Sequence, residues 1–224
     1  MKHIKRVVLA LVVIALTILG YKYGFLLLHE NAVLKRVISR LEADSRIAEV
    51  LVTGVNYNEA EKKTYTTIKF LEYTVKGEPL EPLYFTFSGN IIQFQSLVIR
   101  FNDIHIRQAS RLRDRSAYLF WKVFMLDGPN TREYEITRVN QVPGGYRLEE
   151  APDTFEARLW ERFWQYALDP EKSGAMGIKN AQIEAPGTMF IPGIIYTIKI
   201  EHDGGMRIDT ERLPAILRGE TIPK

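Results

Sequence analysis

Residues 7–28 read VVLALVVIALTILGYKYGFLLL, and how this stretch is read decides where the rest of the chain is placed. Thirteen apolar or neutral residues run from Val7 to Leu19, and after Gly20-Tyr21-Lys22-Tyr23-Gly24 four more run from Phe25 to Leu28. As one helix they span about 33 Å at about 1.5 Å per residue, close to the thickness of a hydrocarbon core. The one charge, Lys22, lies near enough to the outer end for its ammonium to reach the headgroups. Tyr21 and Tyr23 are the amphipathic aromatics expected at such an interface. Val7, Leu11, Ile14, Leu19, Phe25 and Leu28 are the expected anchor residues, and a lipid bilayer is the expected partner of residues 7–28.

A cleaved signal peptide competes with this reading, since Lys2, Lys5 and Arg6 precede a short apolar run. Ile18 and Gly20 make a poor cleavage pair, however, and no Ala-x-Ala occurs. A buried core helix is the third option, but such helices are seldom apolar on every face at a chain terminus. Basic residues crowd the tail before the span, although Lys35, Arg36 and Arg40 follow it. Their asymmetry places the N-terminus in the cytoplasm and the main domain outside, in a bacterial-type inner membrane.

Composition narrows the function classes. The pI of about 9.0 invites a nucleic-acid reading. The net charge is only +3, however, and Lys2, Lys5, Arg6 and Lys22 supply four positive charges, which leaves −1 for everything else. A near-neutral remainder has no electrostatic footprint for DNA or RNA. With no cysteine there is no thiol nucleophile, thiolate metal site, disulfide framework or lipoprotein anchor.

From Glu30 to about Ala48 the pattern predicts a helix leaving the bilayer, with Leu34, Ile38, Leu41, Ser45 and Ala48 on one stripe. The stripe can pack on its own domain, or Leu34, Ile38 and Leu41 can seam a short coiled coil and make a homodimer. Near Glu49 the period changes to alternation. Strands are expected over Val50–Tyr57, Tyr65–Val75, Leu83–Phe87 and Ile91–Phe101, the last two forming a hairpin around Ser88-Gly89-Asn90. Ala117–Leu126 is apolar enough to be a central strand buried on both faces, and Glu133–Val139 returns from it. Between these strands Arg107, Arg111, Arg113 and Arg115 form either a solvated loop or an anion patch.

One helix interrupts the β pattern. Asp153 is a natural N-cap with Glu156 three residues on, and Phe155, Leu159, Phe163 and Ala167 repeat every four residues beside Trp160 and Trp164. Lys172–Gly177 reads as a linker, Asn180–Glu184 and Ile194–Glu201 as strands, and His202-Asp203-Gly204-Gly205 as a hairpin turn into Met206–Asp209. The expected fold is therefore α+β. An N-terminal transmembrane helix (1–28) and a juxtamembrane helix (29–48) lead into a mainly antiparallel β domain (49–224). That domain is a meander or barrel-like sheet covered by one amphipathic helix.

Motifs for chemistry are scarce. His3, His29, His105 and His202 are scattered, and none has metal-face spacing. No phosphate-cradling loop, nucleophile elbow or Ser-x-x-Lys occurs, and no cofactor is implied. The densest cluster, Glu201-His202-Asp203, alternates faces and is ordinary turn chemistry. Three functions fit this pattern. The first is a non-enzymatic, single-pass envelope protein whose β domain binds or scaffolds a protein partner. The second is a tethered binder of a small or lipidic ligand inside a barrel-like sheet, and the third a hydrolase of unfamiliar type. The pattern favours the first.

Overall fold

The computed structural model describes residues 2–41, 46–101, 115–127, 130–148, 153–169, 182–201 and 205–217. Its first element, α1 (Lys2–Arg40), is one unbroken helix of 39 residues. Gly20 and Gly24 do not interrupt it, because an isolated glycine weakens a helix by only about 1 kcal/mol. The residues from Val12 onward make it long and apolar enough to cross a membrane by length and composition, as anchor or signal sequence. The helix expected to run to about Ala48 ends at Arg40, and Ala48 lies in the first strand, β1 (Arg46–Asn58). The weak stripe residues Ser45 and Ala48 could not outweigh the β-branched run that follows.

Two antiparallel sheets follow. The first has the order β10-β9-β1-β2-β3, with β2 (Lys63–Glu72), β3 (Leu83–Phe87), β9 (Ile194–Ile200) and β10 (Met206–Arg212). The second has the order β6-β5-β4-β7, with β4 (Ile91–Phe101), β5 (Arg115–Asp127), β6 (Asn130–Glu135) and β7 (Gln182–Glu184); β8 (Gly187–Met189) also pairs with β4. The sheets pack face to face over Phe70, Phe94 and Phe120, whose ring centroids lie 5.4–5.5 Å apart. This is an open sandwich and not a closed barrel, and the barrel expectation is corrected. The edge strands β10 and β6 carry charges that oppose closure.

The expected β3–β4 hairpin does not form either. Ser88-Gly89-Asn90 carries the chain from one sheet to the other, so β3 pairs with β2 and β4 with β5. Burial explains the separation. β3 hides alternate residues only and sits at an edge, whereas β4 buries Ile92, Phe94 and Val98 on one face and Leu97 and Ile99 on the other. Only a strand between two covered layers accommodates that pattern. β5 is its neighbour, as the apolar run 117–126 implies. One extra residue in β5, Trp121, lets Tyr118 and Phe120 face the sandwich before the bulge and Val123 and Met125 after it.

On the outer face of the second sheet lies a second cluster. Leu97, Ile99, Ala117 and Leu119 meet Val33, Leu34 and Val37 of α1, Leu41 just after it, and Trp160, Phe163 and Trp164 of α2 (Thr154–Leu168). Asp153 caps α2, its carboxylate accepting from Phe155 N–H at 2.7 Å.

Candidate functional site

Three chain segments meet at one end of the sandwich to form a cleft of about 690 Å³. The end of β2 contributes Glu72 and the β2–β3 connection Glu78 and Glu81, the segment after β6 contributes Arg138 and Arg147, and the end of α1 contributes Arg40. Phe70, Leu80, Leu83 and Ile136 form its apolar lining. The acidic groups thus come from one stretch of chain, and the basic groups from the other two. Among the described residues none of Arg40, Arg138, Arg147, Glu78 and Glu81 is in a salt bridge, and Arg40 also acts on the buried Glu156 carboxylate.

Beneath the cleft, Arg46 is only 1% exposed, although it opens β1. Its guanidinium pairs with Glu72 and lies 5.0 Å over the ring of Tyr146. The turn Gly144–Tyr146 approaches so closely that a Cβ on Gly145 would collide with the Arg46 guanidinium. Tyr146 hydroxyl accepts from Tyr118 N–H at 2.8 Å and donates to Tyr118 C=O at 3.2 Å. Burial pushes the Tyr146 phenol up to about 12. Burial also pushes the Glu72 carboxyl up, and Arg46 pulls against it. The group is a structural knot that holds β1, β2 and the 136–148 segment together, and so fixes two banks of the cleft.

A second polar contact joins the helices. His29 Nε2 lies 2.8 Å from Asp153 Oδ2, and Glu30 lies 3.7 Å from Arg158. The hydrogen bond from His29 is the chief reason the Asp153 carboxyl sits below its usual range. Glu156, expected to close a capping box, is buried; its carboxylate is held by the Asp153 backbone and also accepts from Leu148 N–H at 3.2 Å. Burial raises its carboxyl pKa, and the Leu148 N–H opposes that rise.

The residues singled out from sequence fall in different places. Ile14, Leu19, Phe25 and Leu28 are 55–72% exposed on α1; Val7 and Leu11 share its backbone. Leu34 and Leu41 are buried in the chain's own core and Ile38 packs against it, so the stripe is occupied within one molecule. Arg107, Arg111 and Arg113 lie outside the described residues, as do His105, His202 and Asp203, while Arg115 opens β5. Among the described residues no three His, Asp or Glu side chains gather at metal-binding distance. Among the described residues the sandwich interior is packed with apolar side chains, Phe70, Phe94 and Phe120 among them.

Neither the cleft nor the Arg46 knot emerges from the sequence reading, since each joins residues far apart in the chain. One signal was present: Gly144-Gly145 opens no strong helix, so close approach was its remaining use. By architecture the chain is an α+β protein, an open antiparallel sandwich joined to an exposed apolar helix. No family model, curated protein or solved structure matches it.

Proposed function

We propose that this is a single-pass, non-enzymatic membrane protein of the bacterial envelope, whose β-rich domain binds or scaffolds a partner close to the bilayer. One observation carries the reading: from Val12 to Leu28 the apolar side chains of α1 are exposed on every side, and from Val33 one face of the same helix is core. Water is a poor neighbour for Leu16, Phe25 and Leu28 at 63%, 65% and 72% exposure. A signal peptide cut near Gly20 would leave Phe25–Leu28 bare, so the apolar surface favours an uncleaved anchor. The positive tail favours a cytoplasmic N-terminus. The contacts of His29 and Glu30 with α2 favour a domain that starts at the membrane surface, with the amphipathic α2 covering the outer sheet.

Fractionation with N-terminal sequencing, followed by protease treatment of spheroplasts, tests the anchor and its direction. The expected result is an intact N-terminus in the membrane fraction and a domain open to external protease. A mature chain beginning at Tyr21, or a domain protected until lysis, would overturn it.

A further inference from the structure

The four sheet edges differ. β10 carries Arg207, Asp209, Glu211 and Arg212, and β6 carries Arg132, Glu133 and Glu135. The β7/β8 edge is two strands of three residues each, broken at Pro186. Charges and breaks of this kind refuse an additional strand. β3, by contrast, reads Leu-Tyr-Phe-Thr-Phe without a charge, and no described strand pairs with its outer side.

Its backbone direction follows from one contact. Tyr134 hydroxyl donates to Thr86 C=O at 2.9 Å, reaching it from β6 across the open side of the sandwich. Thr67 and Thr86 face each other with hydroxyls 2.9 Å apart, as in a pair that exchanges no backbone hydrogen bonds. Thr86 therefore turns its N–H and C=O outward and, at a period of two, so does Tyr84. Leu83 and Tyr84 are 36% and 49% exposed. Leu83 also lines the cleft, so the free edge runs into the space between the acidic and basic banks.

We propose that the β3 edge and the cleft together form a docking groove for an extended peptide segment of a partner protein. The peptide adds as a sixth strand through the N–H and C=O of Tyr84. Its cleft end carries side chains of both charges, cations toward Glu78 and Glu81 and anions toward Arg138 and Arg147. This inference rests on the partner-binding reading above and names the chemistry of the partner.

The test uses the full chain in lipid nanodiscs and a phage-displayed library of random dodecapeptides. Enrichment of mixed-charge peptides is expected. Tyr84→Pro, which removes an outward N–H without touching the β2 ladder, should weaken their binding about tenfold, as loss of a hydrogen bond or two would. Tyr84→Ala should retain most of it. An N-methyl scan of an enriched peptide should abolish binding at the one residue whose N–H donates to Tyr84 C=O and spare its two neighbours, and this readout needs no variant of the protein to fold. The groove is wrong if no peptide is enriched, if Tyr84→Pro binds undiminished, or if no single N-methylation abolishes binding. In-cell cross-linking separates the two levels. A partner held equally by Tyr84→Pro refutes the groove and leaves the partner reading standing, whereas no partner at all refutes both.

Discussion

A buried arginine is costly unless its charge is answered, and Arg46 is answered on two sides. Glu72 supplies the counter-charge and Tyr146 the aromatic face, while Arg46 Nε and Nη1 have no hydrogen-bond partner. Removing one member of such a pair leaves the other charge buried and alone. Arg46→Met should therefore destabilise the protein by about 3–5 kcal/mol, and Arg46→Met with Glu72→Met by much less. Denaturant unfolding of the full chain in detergent measures both together with Glu72→Met alone, and a double loss equal to the sum of the two single losses would show that the pair is not coupled. Asp153 offers a pH prediction. Its folded carboxyl sits below the ordinary range of about 3.9, so its contribution is present above that value and is lost as pH falls through the folded pKa. Acid melting curves should show this loss in the native chain and lack it in Asp153→Asn, which keeps a cap without the charge.

At the scale of elements, α1 does two jobs that the sequence divides between two helices. Its last turns place Val33, Leu34, Val37 and Leu41 in the core, each 3% exposed or less. Large side chains of this kind contribute about 1.5–3 kcal/mol each when buried, and together they approach the stability of a whole domain. A chain beginning at residue 29 should thus be soluble and melt cooperatively, whereas one beginning at residue 46 should aggregate or remain unfolded. Thermal melting with size-exclusion chromatography compares the two. A stable chain from residue 46 would mean that the helix is dispensable and its apolar stripe free for self-association.

Across the whole molecule, the first sheet joins opposite ends of the chain, because β1 lies between β2 and β9. Tyr196, Ile198 and Ile200 of β9 are buried against the sandwich. Until β9 is made, β1 has one bare edge and the core lacks a wall. A chain ending at residue 190 should accordingly be digested by protease at sub-stoichiometric levels that spare the full chain. Polar contacts bridge the open sides, Tyr134 hydroxyl donating to Thr86 C=O on one and Glu184 accepting from Met206 N–H at 2.8 Å on the other. Lys63 and Ser88 both reach the carboxylate of Asp127, tying the sheets at one end.

What the sequence determined alone is local. The apolar run 7–28, the strands Leu83–Phe87 and Ile91–Phe101, and the capped helix after Asp153 are all legible. Periodicity, caps and turn residues act over a few residues, and each such stretch carries its own signal. The partners of those strands were not legible. Ser88-Gly89-Asn90 specifies a change of direction, but whether β3 then pairs with β4 depends on β2, β5 and both helices competing for the same faces. For the same reason Leu34 and Leu41 fitted a dimer seam as well as a core until the sheet and α2 claimed them. The cleft and the knot beneath it draw on residues a hundred or more positions apart, Arg40 and Arg46 with Tyr146 and Arg147. Only packing brings such residues together, because the free energy that decides it is shared among surfaces that no single stretch of chain contains.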